Sequence, residues 1–434
     1  MRSSIKEPCY MLIGCISFFT SLSFFSSTYD GLKRYDLLAD IKKEQVTDSL
    51  PAIDSVAPVK QQKHKPKAKT LAVAEPDAGM EHFFLSLDSL KKTKKKIRIA
   101  HFGDSMIEGD LITSSLREAF QEEFGGSGVG FVVPSPFNAS FRQSLHHEFS
   151  SNWESINLKE HKGAYSVGIS GYTSITNGAT WIRLATKSTT GLLKIYYGNN
   201  SSDSGLSVTV NTVKHKLATG RVLNEFVQPV QASAINIHFL SQSPVPVYGL
   251  SLESDTGIIV DNFSFRGSSG TTFKEYDKQL LTQFHDQLKY DLIILQYGIN
   301  VANNKTTDYS WYERNMLANI RYLKSVFPDA SFLLIGCGDR AVKTKGEYQT
   351  CKGIEPLIET QKRLAQQTGS GFMNFYELMG GKGSMEKWVN GDTCFANKDY
   401  THFNHKGAAK AGKLIYQALM KEYKTRKANH EVIN

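Results

Sequence analysis

The feature that most constrains this chain is an alternation, from about residue 96 onward, of short apolar strands with amphipathic helices. Apolar runs rich in β-branched residues occupy 97–102, 291–296 and 331–336. Helical patterns separate them, near 273–289, 309–327 and 354–367, with a further strand at 372–376 and a last helix from about Lys406. Continuous apolar strands divided by helices are typical of a parallel sheet covered on both faces. The sequence therefore predicts an α/β fold, a three-layer doubly wound parallel sheet.

Between the first strand and the later ones the pattern changes. Segments such as 180–186 and 234–241 alternate apolar and polar residues, lie between Gly, Asn, Ser and Pro, and show no helical period. This pattern predicts a β-sandwich inserted into the α/β chain. The predicted divisions are α/β parts at 81–140 and 257–425, an inserted sandwich at 141–256, and a tail at 426–434.

The N-terminal segment predicts export. Residues 11–25 form an apolar run preceded by Arg2 and Lys6, as in a signal peptide or signal anchor, which we assign to residues 1–27. A lipoprotein-type cysteine at Cys15 fits less well, because too few apolar residues precede it. Residues 28–80 read as a disordered basic linker. We therefore expect a periplasmic protein of the cell envelope, attached to the membrane through its N-terminal segment.

The charge of the 434-residue chain, formally +9, is concentrated in the linker, in 91–96 and in the C-terminal tail. These clusters are not interleaved with aromatic residues, which disfavours a nucleic-acid partner. Beyond the N-terminal segment there are three cysteines, Cys337, Cys351 and Cys394, without the spacing of a zinc site. One disulfide at most is expected, together with no metal and no organic cofactor. The oligomeric state stays open.

The segment HFGDSMIEGD at 101–110 places Ser105 in the turn that follows the first strand. Gly103 permits a close backbone approach, and a helix at 111–124 with Asp110 as its cap would direct N–H groups toward Ser105. A serine becomes nucleophilic only beside a base that is itself oriented by a third group. Asp399 and His402, three residues apart before the last helix, are the candidates for these two roles.

In these residues and their order along the chain, the protein resembles the SGNH (GDSL-type) hydrolases. Its blocks appear in order as Gly103-Asp104-Ser105, Gly267, Gly298-x-Asn300 and Asp399-x-x-His402. The resemblance implies a carboxylic ester hydrolase in which Ser105 is the nucleophile, His402 the base and Asp399 its orienting group. It also implies an oxyanion hole formed by the Ser105 N–H, the Gly267 N–H and the Asn300 side chain, with Gly103 and Asp104 supporting the turn. Many members have an acidic residue after the block-three asparagine, where this chain has Val301.

Other interpretations remain for several of these residues. Ser105 or Asp104 could simply cap a helix, and Asn300 could be a turn residue at a strand end. His405 is an alternative base to His402. The pair His146 and His147 fits a polar loop, and the glycine-rich segment 125–130 follows a helix, so it fits a helix-ending loop better than a dinucleotide site.

Within the family, the chain is similar to the peptidoglycan O-acetylesterases of Gram-negative envelopes, which carry a carbohydrate-module-like sandwich in the same place. Those enzymes often have a histidine where this chain has Met106. The expected substrate is therefore an acetylated envelope glycan, with peptidoglycan favoured. The alternatives are deacetylation of another polysaccharide, O-acetyl transfer, and a tethered glycan-binding protein that uses Trp153, Tyr172 or Trp181.

Overall fold

The structure, a computed structural model, describes residues 78–433 except 91, 161, 162, 164, 187–189, 199–204 and 219. The predicted signal segment and nearly all of the predicted linker lie outside the described residues. In the described part of the chain, no helix combines the length and apolar character needed to cross a membrane.

A five-stranded, all-parallel sheet forms the centre of the α/β part, with the order β11-β1-β12-β13-β16. Its strands are almost entirely buried, which agrees with their continuous apolar sequences. Their bounds are β1 Lys96–Gly103, β11 Gly257–Ser264, β12 Leu292–Gln296, β13 Ser331–Ile335 and β16 Gly371–Met373. The predicted doubly wound α/β fold is confirmed.

Helices cover this sheet and supply the rest of its core. Their bounds are α1 Glu81–Leu90, α2 Leu111–Phe124, α3 Lys278–Leu288, α4 Ser310–Val326, α5 Ile354–Thr368, α6 Phe375–Met379, α7 Ser384–Asn390 and α8 His405–Ile433. Helix α2 packs against α8, whereas α4 packs against α3 and α5. Short 3-10 turns occur at Ala78–Met80, Glu108–Asp110, Ala139–Phe141 and Phe273–Glu275.

Between β1 and β11, which are neighbours in the parallel sheet, the chain forms nine antiparallel strands. They are β2 Gly130–Val132, β3 His146–Phe149, β4 Glu154–Asn157, β5 Tyr172–Ala185, β6 Thr190–Tyr197, β7 Ser207–Val210, β8 Val213–Lys216, β9 Asn224–Gln231 and β10 Ala234–Glu253. The long strand β10 joins them into one hydrogen-bonded sheet, and an irregularity between Ser241 and Val245 interrupts its pairing with β5. This inserted region has its own apolar cluster. A small hairpin, β14 Ala341–Thr344 and β15 Glu347–Thr350, lies later in the chain.

Several predicted bounds differ from the structure. Strand β2 pairs with β10, so the antiparallel sheet begins before residue 141. Met80 is fully buried, so the folded part begins inside the segment assigned to the linker. The predicted strand at 372–376 is divided between β16 and α6, and the predicted tail at 426–434 continues helix α8 as far as Ile433. Sequence patterns define element ends poorly, because caps and tertiary contacts decide them.

A buried ionic network connects the two sheets. Arg98 of β1 is 2% exposed and pairs with Asp261 of β11 at 2.6 Å and with Glu253 of β10. Tyr290 donates to the same Asp261 carboxylate at 2.7 Å. The two carboxylates outweigh the effect of burial and raise the pKa of Arg98, so its charge is retained. No local signal in the sequence indicates this network, since its members lie far apart along the chain.

Candidate active site

Ser105 lies in a tight turn at the carboxyl end of β1. A Cβ atom at Gly103 would approach Ile107 Cδ1 to 2.9 Å and the Gln296 carbonyl oxygen to 3.0 Å, so a larger residue there would have to displace its neighbours. The turn closes through the Glu108 N–H, which donates to the Ser105 carbonyl at 3.3 Å. Ser105 is only 8% exposed, although its hydroxyl reaches the base described below. The carboxyl ends of parallel strands are where open α/β sheets hold their ligands.

The helix predicted after Ser105 forms with the expected bounds, Leu111–Phe124. Helix α2 begins at Leu111, after a 3-10 turn in which Gly109 and Asp110 have positive φ angles. Asp110 occupies the predicted cap position, but its side chain makes no capping hydrogen bond. Instead its carboxylate is buried, accepting two hydrogen bonds from Arg117 at 2.7 and 2.8 Å and one from Ser144 at 2.6 Å. The 3-10 turn Glu108–Asp110 separates Ser105 from the N-terminus of α2 along the chain.

The structure brings Ser105, His402 and Asp399 into one hydrogen-bonded chain. His402 Nε2 lies 2.9 Å from Ser105 Oγ, and His402 Nδ1 lies 2.7 Å from Asp399 Oδ2. Because an ionised carboxylate only accepts hydrogen bonds, Nδ1 carries the proton and Nε2 accepts from the serine hydroxyl. This is the geometry in which an imidazole can remove a hydroxyl proton.

The loop that carries Asp399 and His402 is fixed by its own hydrogen bonds and by the hairpin. Asp399 Oδ1 accepts the N–H groups of Thr401 and His402, both at 3.0 Å. Tyr400, between them, has φ 55°, a left-handed conformation. Its carbonyl accepts the Ala341 N–H at 3.0 Å, and its ring stacks on Tyr348 with centroids 3.5 Å apart. The hairpin therefore supports the strained turn that aims the imidazole.

Asp399 is ionised in this environment. Partial burial would raise the pKa of its carboxyl, but the hydrogen bonds from the His402 ring and the two backbone N–H groups outweigh burial and lower the pKa to about 2. The side chain is 47% exposed, so solvent screens part of this effect. A carboxylate here can hold the imidazole in one tautomer and stabilise the imidazolium when it forms.

Asn300 lies just beyond the end of β12. Its Nδ2 donates to Asp104 Oδ2 at 3.2 Å and to the Ser268 carbonyl at 3.0 Å. Both N–H bonds are engaged, so donation to a reacting oxygen requires one of these acceptors to be exchanged. Arg340 supports the loop after Asn300 by donating to the carbonyls of Ile299 and Ala302 at 3.3 and 3.2 Å.

Gly267 occupies a turn after β11. The Ser268 N–H donates to the Phe265 carbonyl at 3.1 Å, and the Phe265 N–H donates to the Gly103 carbonyl at 2.9 Å. Gly267 has φ 71°, a conformation that favours glycine. The second hydrogen bond connects this turn to the strand that leads into Ser105.

Asp104 has a larger part in the site than the sequence indicated. It is 1% exposed, and its Oδ1 accepts the Met106 N–H at 3.0 Å while Oδ2 faces Asn300. Burial raises the pKa of the Asp104 carboxyl to about 7, although the Met106 N–H, His402 and Asn300 all favour the ionised form. Asp104 thus joins the turn of Ser105 to the Asn300 side chain.

The other residues singled out from the sequence lie elsewhere. His405 begins α8, with its ring 6.0 Å from that of Phe141. His147 is buried and bonds to the Pro134 carbonyl at 3.1 Å, whereas His146 is exposed. Cys337, Cys351 and Cys394 are free thiols, so the optional disulfide does not form in this structure.

Two of the aromatic residues suggested for glycan binding pack against other side chains of the protein. Trp153 belongs to the apolar cluster of the insert, whereas Tyr172 packs on Phe265 with centroids 5.1 Å apart. Trp181 is 38% exposed. Lys159, an insert residue that was not predicted to belong to the site, has its ammonium beside Gly267. About a hundred positions separate the two, and no local signal in the sequence links them.

Comparison with known families agrees with this architecture. Residues 241–410 match the model of the GDSL-like lipase/acylhydrolase family. The match includes Gly267, Asn300, Asp399 and His402, but it begins after Ser105, because the inserted strands separate the first block from the rest. No curated protein matches the chain.

Among solved structures, a peptidoglycan O-acetylesterase shares the fold, with a TM-score of 0.68 and 23% sequence identity. The similarity covers 79% of this chain and 96% of that one. A family two carbohydrate esterase from Cellvibrio japonicus is 11% identical over 65% of this chain and 98% of its own, but its TM-score of 0.28 is too low to carry an argument. The chain is thus similar to the GDSL-like lipase/acylhydrolase family over residues 241–410, and it shares its overall fold with the solved structure.

Proposed function

We propose that this protein is a serine esterase that removes O-acetyl groups from an envelope glycan, with peptidoglycan as the favoured substrate. The observation that carries the proposal is the hydrogen-bonded chain Ser105–His402–Asp399 at the carboxyl ends of the parallel strands. Such a chain supplies a nucleophile, a base and an orienting group to an ester bond.

The reaction would proceed in two acyl-transfer steps. Ser105 Oγ attacks the acetyl carbonyl carbon while His402 Nε2 accepts the hydroxyl proton, and Asp399 stabilises the imidazolium. The tetrahedral intermediate collapses, the bond to the sugar oxygen breaks, and His402 returns the proton to that oxygen. Water then attacks the acetyl-enzyme with His402 as base, which releases acetate and restores Ser105.

The developing negative charge needs hydrogen-bond donors. We assign this role to the N–H groups of Ser105 and Gly267 and to the Asn300 side chain. The Gly267 turn and the Asn300 loop both approach the turn of Ser105, through the Gly103 carbonyl and the Asp104 carboxylate respectively. Donors preorganised in this way stabilise a transition state more than they stabilise a neutral ester.

The choice of substrate draws on two observations. The solved structure with the shared fold is that of a peptidoglycan O-acetylesterase, and the similarity covers nearly all of it. The N-terminal sequence of this chain is that of an exported or anchored protein. A periplasmic location, with the membrane as attachment point, would place the enzyme next to the cell wall.

Two experiments separate this proposal from its alternatives. An organophosphonate probe should label Ser105 in the full chain but not in a Ser105→Ala variant, because an activated hydroxyl is required. Acetate release should then be compared between O-acetylated peptidoglycan and acetylated xylan. Preference for xylan would reassign the substrate, and acetate appearing on an added sugar instead of in solution would indicate a transferase. Glycan binding with neither labelling nor release would leave a binding protein.

A further inference from the structure

The inserted region contributes a cation to the edge of the candidate site. Lys159 follows β4, and its ammonium donates to the Arg266 carbonyl at 3.1 Å. The ammonium also lies 3.1 Å from the position that a Cβ atom would take at Gly267. The missing side chain at Gly267 therefore leaves the space that the ammonium occupies, beside the turn assigned to the oxyanion hole.

Contacts from both parts of the chain hold Lys159 in place. Its backbone N–H donates to Asn157 Oδ1 at 3.0 Å. Its ammonium lies 5.5 Å from the centroid of the Phe265 ring, a cation–π distance, and Tyr172 of β5 packs on that ring. Lys159 is nevertheless an exposed residue, so a ligand can reach its remaining N–H bonds.

The charges nearby leave Lys159 available to an anion. The neighbouring cation, Arg266, pairs with Glu108 at 2.7 Å. Lys159 instead bonds to an uncharged carbonyl oxygen, and among the described residues it forms no ion pair with a carboxylate. A positive charge without a carboxylate partner thus lies beside the Gly267 turn.

We propose that Lys159 binds an anionic group of the substrate, such as a sugar carboxylate, next to the acetyl ester that reaches Ser105. This inference rests on the proposed function and narrows it to acetylated glycans that carry a negative charge. The ammonium lies on the side of Gly267 from which a side chain would project, and Lys159 is exposed to solvent. It therefore meets the glycan outside the acetyl group, and it acts as a positioning residue that raises selectivity.

The test compares two small esters that differ in charge, 4-acetoxybenzoate and its neutral methyl ester, using the full chain. Lys159→Gln should lower the ratio of kcat/KM for the anionic over the neutral ester about three- to tenfold, mainly through KM. Lys159→Arg should restore the ratio. Lys362→Gln, which removes an exposed lysine from α5, is the matched control and should leave the ratio unchanged. High salt should shrink the difference.

Two results would overturn the inference. An unchanged ratio in Lys159→Gln would show that the ammonium does not bind substrate charge. An equal loss on both esters would show that it acts on the oxyanion or on the fold instead. A parallel assay on peptidoglycan distinguishes failure of this inference from failure of the proposed function. If the native protein cleaves both esters but releases no acetate from peptidoglycan, the proposed substrate is wrong. The ratio of kcat/KM for the two esters still decides the role of Lys159.

Discussion

Asn300 is hydrogen-bonded to Asp104, with Nδ2 and Oδ2 3.2 Å apart. This contact joins the loop after β12 to the turn of Ser105. It also fixes the orientation of the Asn300 amide before substrate arrives, and the reacting oxygen would replace one of the two acceptors of that amide. The candidate oxyanion hole and the candidate nucleophile are therefore positioned by one shared carboxylate.

Replacing Asn300 with Ala should lower kcat about 10²- to 10³-fold, because one donor to the oxyanion is lost. KM for the same ester should change little, since the interaction forms in the transition state. Steady-state kinetics on 4-nitrophenyl acetate would measure both constants. Asn315→Ala, at a half-buried position on α4 whose amide donates to the Trp311 carbonyl, is the control, and an equal loss in both variants would contradict the role of Asn300.

The buried carboxyl of Asp104 should make stability depend on pH. Its folded-state pKa of about 7 exceeds the value of about 3.9 expected in the unfolded chain, so the folded state binds its proton more tightly. This contribution is therefore complete below pH of about 4 and is lost as the pH rises through about 7. Urea unfolding at several pH values should show that the free energy of unfolding falls more steeply with rising pH in the native protein than in Asp104→Asn. Parallel curves would contradict the prediction.

Replacing Asp399 with Asn should lower kcat about 10³- to 10⁴-fold, because the imidazole loses the carboxylate that fixes its tautomer. With a pKa of about 2, Asp399 is ionised throughout the neutral range, so the loss should be equally large at mildly acidic and mildly alkaline pH. His405→Gln tests the alternative base and should retain nearly native activity. A severe loss of activity in His405→Gln, with little effect of Asp399→Asn, would make His405 the base and would contradict the pairing of His402 with Asp399.

Replacing Arg98 with Met should destabilise the protein by about 3–5 kcal/mol, because Glu253 and Asp261 would remain buried without their shared cation. The matched control is Arg183→Met, which breaks an ion pair with Glu148 whose side chains are 51% and 44% exposed. That change should cost less than about 1 kcal/mol. Free energies of unfolding from urea titration compare the two, and similar values would show that the buried network contributes little.

Much of the fold was predictable because the strands of the parallel sheet are buried on both faces and so have continuous apolar sequences. The order of the blocks likewise predicted which residues would come together, and the structure does place His402 between Ser105 and Asp399. The helix predicted after Asp110 forms with the expected bounds, Leu111–Phe124, but the side-chain cap predicted at Asp110 does not form, for a physical reason. A carboxylate can either cap a helix or pair with a buried Arg117, and here the ion pair prevails.

Contacts between distant segments had no signal in the sequence. The links of Asp104 to Asn300 and of Lys159 to Gly267 each join two loops that are separated by more than a hundred residues. Polar residues in loops are common, and their spacing carries no periodicity that would indicate a partner. The same limit applies to Arg98, which sequence alone places in a strand without revealing its two carboxylates.

The most direct test of the account is acetate release from O-acetylated peptidoglycan by the full chain, beside its Ser105→Ala variant. We predict release by the native protein and a loss of about 10³-fold or more in the variant, with the fold retained as judged by its unfolding curve. Equal release by both proteins would contradict the assignment of Ser105, and no release by the native protein would contradict the proposed substrate.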